Sequence, residues 1–295
     1  MNRSSAPYII LFIVLTLTRS TSFMFTKMLL LDMQTFNILA VRFILVFIIL
    51  CLVFIKKMVR IDKKTLFGGI MIGLAFFATM AGETLALNTL DSSTTSFIEH
   101  TAIVLVPLFE GIVTRKLPKL LIIICDIITL AGIGLLTLST GGFRLEPGEI
   151  IALSTAIVYA WGMIFTARFS QNGKAIELGV IQIGTMGVLS LIATFIFETP
   201  KLPSSPTHWF YFAYLIFVCT GFAFTLQPLA QSRMSAELAG LLCAVNPMGA
   251  SICGAIFLHE TFSVPEIFGC ILIMIGIVLC LGFPVIQNRK KIQSS

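Results

Sequence analysis

Charge is what this sequence has least of. Only 12% of its 295 residues are Asp, Glu, Lys or Arg, while 57% are hydrophobic. A soluble domain carries about 25% charged residues, so too little polar surface exists here to cover a water-soluble globule. Several functional signatures are also missing. No GxxxxGK[ST] loop occurs, which removes a nucleotide-driven pump. No HExxH helix occurs, nor a nucleophile with a neighbouring base, which removes a membrane hydrolase. His100, His208 and His259 are scattered and no CxxC pair is present, so neither a metal nor a cofactor is expected. The seven cysteines (Cys51, Cys125, Cys219, Cys243, Cys253, Cys270 and Cys280) all sit in apolar runs and read as small apolar side chains.

What fills the chain is apolar sequence in long runs. A bilayer core about 30 Å thick needs roughly 20 apolar residues as helix, and helices satisfy their own backbone groups in lipid. Ten segments qualify: 8–29, 35–55, 66–87, 92–114, 120–138, 147–168, 176–198, 208–228, 237–258 and 265–283. The expected fold class is an all-α integral membrane protein. The first run is too long for a cleavable signal and others follow it, so it is expected to stay. With the N-terminus inside, fifteen of the 20 basic residues fall in inner loops or the inner tail. Lys56, Lys57, Arg60, Lys63 and Lys64 form the densest group. Only Lys27, Arg144 and Lys201 fall outside, and Arg19 and Arg42 lie within spans. The positive-inside rule therefore places both termini in the cytoplasm, at the cell membrane. The net charge of +6 then reports topology, and no nucleic-acid partner is needed.

Residues 139–146, with two glycines, divide the chain into 1–140 and 141–295, five spans each. Each half carries a proline in its fourth span, Pro107 and Pro247, followed by a Gly-containing fifth span. An odd number of spans per half inverts the second relative to the first, the arrangement of many alternating-access carriers.

Particular residues sharpen this. Thr94-Thr95-Ser96-Phe97-Ile98, Val104-Leu105-Val106-Pro107-Leu108 and Arg115-Lys116-Leu117-Pro118 resemble the fourth helix of EamA-type transporters, in the drug/metabolite transporter superfamily. Phe224-Thr225-Leu226-Gln227 and Ala230-Gln231 are similar to the end of the eighth. Asn246-Pro247, Leu258-His259-Glu260-Thr261, Gly269 and Gly276 are similar to the ninth and tenth, and Arg42-Phe43 to the second. The resemblance implies ten helices in two inverted five-helix repeats, with export or exchange of a small polar metabolite such as an amino acid, a related compound or a drug-like solute. The partners it implies are that solute and the bilayer, with protons the candidate coupling ion. A channel, or a membrane scaffold or receptor without turnover, is the competing class. Two departures stand out: Arg19-Ser20-Thr21-Ser22 precedes Phe23 where Trp-Gly-Ser is usual, and Glu99 and His100 replace small residues.

Charge inside a span faces a cavity or a partner. Arg19 is eleven residues into the first run. Arg42 and Glu99 each sit seven residues from the outer ends of theirs, roughly 10 Å deep. That matched depth suggests an Arg42–Glu99 ion pair, structural in one reading. In the other, Arg19, Phe23, Arg42, Glu99, His100, Trp161 and Gln227 line a substrate cavity. Glu83 is expected to reach water near the outer face, and Glu110 and Asp126 to lie toward the inner rim. Pro107 and Pro247 are candidate kinks for gating. Gly69 and Gly73, and Ala250 with Gly254, are spaced for close helix packing.

The topology has a direct test. Cysteines placed at Lys63 or Lys291 should resist an impermeant thiol reagent on intact cells, and one at Gly142 should react. Labelling of either inner position from outside would overturn the orientation.

Overall fold

A computed structural model describes residues 6–115, 117–138, 147–257, 264–265, 267–269 and 271–279. The expected break at 139–146, the Leu258-His259-Glu260-Thr261 motif, Cys270, Cys280 and the basic C-terminal tail lie outside the described residues. Among the described residues every regular element is helical. Seven helices are long and apolar enough to cross a membrane. Leu120–Gly132 and Ile267–Leu279 are shorter apolar helical stretches.

In chain order the helices are α1 (Ala6–Leu30), α2 (Thr35–Val53), the short α3 (Ile55–Met58) and α4 (Lys63–Ala86). Then come α5 (Ser92–His100), α6 (Ala102–Thr114), α7 (Leu120–Leu138), α8 (Pro147–Phe169) and α9 (Ala175–Phe197). α10 (Pro206–Tyr214) runs through a π-helical stretch, Leu215–Phe222, into α11 (Ala223–Gln231). α12 (Ala236–Leu242) and α13 (Val245–Phe257) follow.

Two of these runs are broken helices. α5 ends at His100 and α6 begins at Ala102, with the Val104 amide reaching only back to the Thr101 carbonyl. The break thus precedes Pro107, which sits inside α6. In the second case Pro247 has no amide hydrogen for the Cys243 carbonyl, four residues earlier. The chain turns there, and Asn246 N donates to Cys243 O instead at 2.9 Å.

The packing follows from small residues and local capping. α4 lies against α8 and α9, and α2 against α9. Gly73 makes the α4–α9 approach possible: a Cβ there would sit 2.8 Å from the Gln182 carbonyl oxygen. Gly69 meets Ile181 of the same helix, so this glycine pair is a packing surface. Gly179 lets α9 touch the α11 backbone, where a Cβ would stand 2.8 Å from Thr225 Cα. Nearby, Pro228 leaves the Phe224 carbonyl without its usual donor, and Gln182 Nε2 donates to it at 2.6 Å.

The connections are tied side to side. Glu198, just after α9, caps the start of α2: its carboxylate accepts from the Phe36 and Asn37 amides at 2.8 Å each. These are orphan donors of a helix N-terminus, where an anion is favoured. Lys27–Asp91 at 2.8 Å and His208–Asp32 at 3.0 Å tie α1 and α10 to neighbouring loops. At the opposite ends, Asp62 caps α4 through the Thr65 amide and meets Lys174 at 3.3 Å. Hydrogen bonding from Thr65, helped by Lys174, holds the Asp62 carboxyl below the usual carboxylate range. Its contribution is therefore complete above the unfolded carboxylate's range and fades as pH falls through the folded value.

Glu198→Ala should lower the melting temperature of purified protein, with a loss of about 1–2 kcal/mol for two abandoned amides. Glu198→Gln, which keeps an acceptor oxygen, should lose less. An unchanged melt in Glu198→Ala would mean that the cap carries no stability.

Candidate functional site

The ionisable groups buried in the apolar runs converge. Arg19, Ser22 and Phe23 of α1, Arg42 of α2, Met80 and Glu83 of α4, Phe224 of α11 and Asn246 of α13 line one crevice of about 180 Å³, without room for a water molecule. Glu99 and His100 of α5 are each 1% exposed. They adjoin this crevice, because Glu99 approaches Glu83 and His100 bonds to Asn246.

Arg42 is fixed by two hydroxyls. Its Nε donates to Thr220 Oγ1 at 2.5 Å and its Nη1 to Ser22 Oγ at 2.9 Å. Nη2 has no acceptor among the described residues. Thr220 belongs to the π-helical stretch, and such widened turns recur at functional sites because they re-aim side chains. Arg19 is held differently. Its guanidinium stands 4.4 Å from the centre of the Phe224 ring and 5.9 Å from that of Tyr159. A longer bond, 3.5 Å, runs from Nη1 to Gln227 Oε1. Ring faces carry negative charge density, so they partly replace the water that a buried cation has lost.

The carboxyls occupy the other side. Glu83 is 3% exposed, so the expectation that it reaches water is wrong. It lies in the fields of both Arg19 and Arg42, and its carboxyl comes within hydrogen-bonding reach of Glu99's. No donor among the described residues reaches either Glu99 oxygen. The expected Arg42–Glu99 ion pair is not formed. Equal depth puts two residues in one layer without making them neighbours. α2 packs against α1, α4, α9 and the π-helical stretch, while α5 packs against α1, α4, α7, α8 and α13. The cation acting on Glu99 is Arg19.

His100 ties the two broken helices together at their breaks. Its Nδ1 faces the Ser96 carbonyl at 2.5 Å, which can only accept, so Nδ1 carries the hydrogen. Nε2 then accepts from Asn246 Nδ2 at 3.1 Å. The imidazole also packs 5.5 Å from the Tyr159 ring, whose hydroxyl meets Cys243 Sγ at 3.1 Å.

Of the sequence candidates, Arg19, Phe23, Arg42, Glu99, His100 and Gln227 come together. Trp161 does not join them: it stacks on Phe109 at 5.1 Å and on Phe165, between α8 and α6. Pro247 stands beside Asn246 at the second break, and Pro107 lies deeper in α6. Glu110 pairs with Arg168 at 3.4 Å, and Asp126 is buried away from the crevice. Sequence reasoning missed Ser22, Tyr159, Thr220, Phe224 and Asn246 as site residues. Asn246 alone carried a signal, a polar residue just before a mid-run proline. An apolar groove of about 1080 Å³ where α2, α9 and the start of α10 meet is roomier. Its one cation, Lys201, donates to the Asp32 carbonyl, so the groove offers little chemistry.

Comparison with known proteins agrees with the helical fold. A search of curated proteins gives no match. One solved structure, described only as "Crystal structure of protein", superposes with a TM-score of 0.76. It is 18% identical, over 95% of this chain and 97% of the other, a likeness of fold alone. The profile of the EamA-like transporter family matches twice, over residues 6–138 and again over 146–282. The chain belongs to the EamA-like transporter family, and is a multi-pass membrane protein of the drug/metabolite transporter type.

Proposed function

We propose that this protein is a secondary transporter. It moves a small polar metabolite, an amino acid or related compound, across the cytoplasmic membrane by alternating access, as export or exchange. The observation that carries the reading is the closed crevice itself. Two arginines and two glutamates meet at the point where both broken helices are interrupted. Charge is costly at such depth and is kept where a polar solute must be met. Arg42 Nη2, without an acceptor, suits an anionic group of the solute, and the free oxygens of Glu99 suit an ammonium.

Ten spans in two inverted repeats, 1–140 and 141–295, fit the same reading. The double family match supports it. So does the pattern of packing. α1 lies on α13 as α8 lies on α5 and α6. α4 lies on α8 as the π-helical stretch and α11 lie on α1. α2 meets α9 and α5 meets α13, the pairs that a twofold exchange of halves would map onto themselves. The inside orientation of both termini rests on the basic loops. The polar contacts fit that sidedness: Lys27–Asp91 and His208–Asp32 join residues assigned outside, Lys174–Asp62 residues assigned inside.

In this scheme the breaks at Thr101 and Cys243–Ala244 are the bending points, and the His100–Asn246 bond spans them. Opening to one side would separate helix halves on that side of the bond. A channel would need a continuous wet path, and the crevice holds no space for water.

The test is flux into proteoliposomes, with a labelled amino-acid mixture as probe. Uptake should saturate and accelerate several-fold when the same unlabelled mixture is trapped inside. Arg42→Lys should weaken that uptake at least tenfold, because an ammonium cannot bond Ser22, Thr220 and the solute in one plane. Linear uptake indifferent to the inner pool would favour a channel.

A further inference from the structure

The hydrogen-bond inventory around Glu99 does not close. Its two oxygens are acceptors with no donor among the described residues. The group within hydrogen-bonding reach is the Glu83 carboxyl, also an acceptor when ionised. Two bare carboxylates in contact, without water between them, would repel with nothing to bridge them. One hydrogen between them turns the contact into a strong charge-assisted bond, and adjacent carboxyls that share a single proton are a known solution to this conflict.

We propose that Glu83 and Glu99 form a proton-binding site that holds one shared proton while the crevice is closed, and releases it to water when the crevice opens. The bond broken is the O–H between the two carboxyls, and the proton leaves as hydronium. Two carboxylates then face two guanidiniums, Arg19 and Arg42, and the crevice becomes neutral. While the proton is held, the crevice carries one net positive charge.

The surrounding groups agree with this division of labour. From α1 the neighbouring charge is Arg19, from α2 Arg42, and from α8 the Tyr159 hydroxyl. Cys243 and Asn246 face in from the second broken helix. His100, on the same helix as Glu99, already uses Nδ1 on a carbonyl and Nε2 on an amide. Taking a proton on Nε2 would break the bond to Asn246, so His100 is the fastener and the carboxyl pair the carrier. Coupling of this proton to solute movement rests on the transporter reading; its presence does not.

Infrared spectroscopy of the full chain in an ester-free detergent, in an Asp126→Asn background, reads the proton directly. At neutral pH the spectrum should contain a carboxylic-acid C=O band of one carboxyl's intensity. Glu83→Gln and Glu99→Gln should each abolish it, because the glutamate left behind stands alone beside Arg19. Survival of the band in either variant, or its absence from the parent, would overturn the proposal. Should a variant fail to fold, carbon-13 NMR of the unsubstituted chain with labelled glutamate serves instead. Two buried carboxyl resonances should then titrate together, and independent titration would overturn the sharing. Flux that fails the amino-acid test would count against the transporter reading alone.

Discussion

Four ionisable side chains, Arg19, Arg42, Glu83 and Glu99, are buried together where water does not reach, and that constraint governs the rest of the molecule. A charge taken out of water needs a partner or a substitute for hydration. Three of the four find a different one. Arg42 has hydroxyls from α1 and the π-helical stretch, Arg19 has two ring faces, and Glu83 has the field of both arginines. The helices that supply these groups cannot be displaced singly. α1, α2, α4, α5 and α11 each contribute a side chain that another needs.

Irregular backbone appears where that assembly requires it. Both broken helices open at the level of the crevice, and the π-helical stretch turns Thr220 toward Arg42. Non-helical backbone inside a membrane is tolerated where protein buries it or where it lines a cavity. Here side chains also repair the loss, since Gln182 serves the Phe224 carbonyl freed by Pro228. The regular helices around them need only small residues at crossings and apolar faces elsewhere. That explains how so few polar residues suffice.

Most of the architecture was legible in the sequence because one physical scale dominates it. Apolar runs long enough to cross a bilayer gave helix positions that agree with the observed ones to within a few residues, as for α1 and α9. Burial of Arg19, Arg42, Glu99 and His100 followed from their depth in those runs. Pairing did not follow, because depth is a single coordinate and contact needs three. Arg42 and Glu99 share a layer yet sit on helices without substantial packing between them. Glu83 was misplaced for a related reason. It lies near the end of its apolar run, but α4 continues to Ala86 and packs on α8 and α9, so protein covers it. Nothing local in Thr220 or Tyr159 announces a role. Their positions depend on a π-helical widening and on a helix crossing, neither of which a hydropathy pattern encodes.

The way the halves meet connects structure to motion. In the proposed inverted repeat, His100 and Asn246 come from corresponding breaks, and their bond joins the helices that exchange of the halves would interchange. A fastener on such an axis would favour neither side of the membrane, because in the proposed scheme both halves of each broken helix hinge about it. The groups that bias opening must then lie off the axis. Arg168–Glu110 toward one face and Lys27–Asp91 toward the other occupy such positions. Both pairs are partly exposed, and exposed pairs contribute on the order of 0–1 kcal/mol. In the proposed transport cycle, contacts that weak can be exchanged for solute contacts within the crevice, whereas the buried arginines and their hydroxyl and aromatic partners stay assembled.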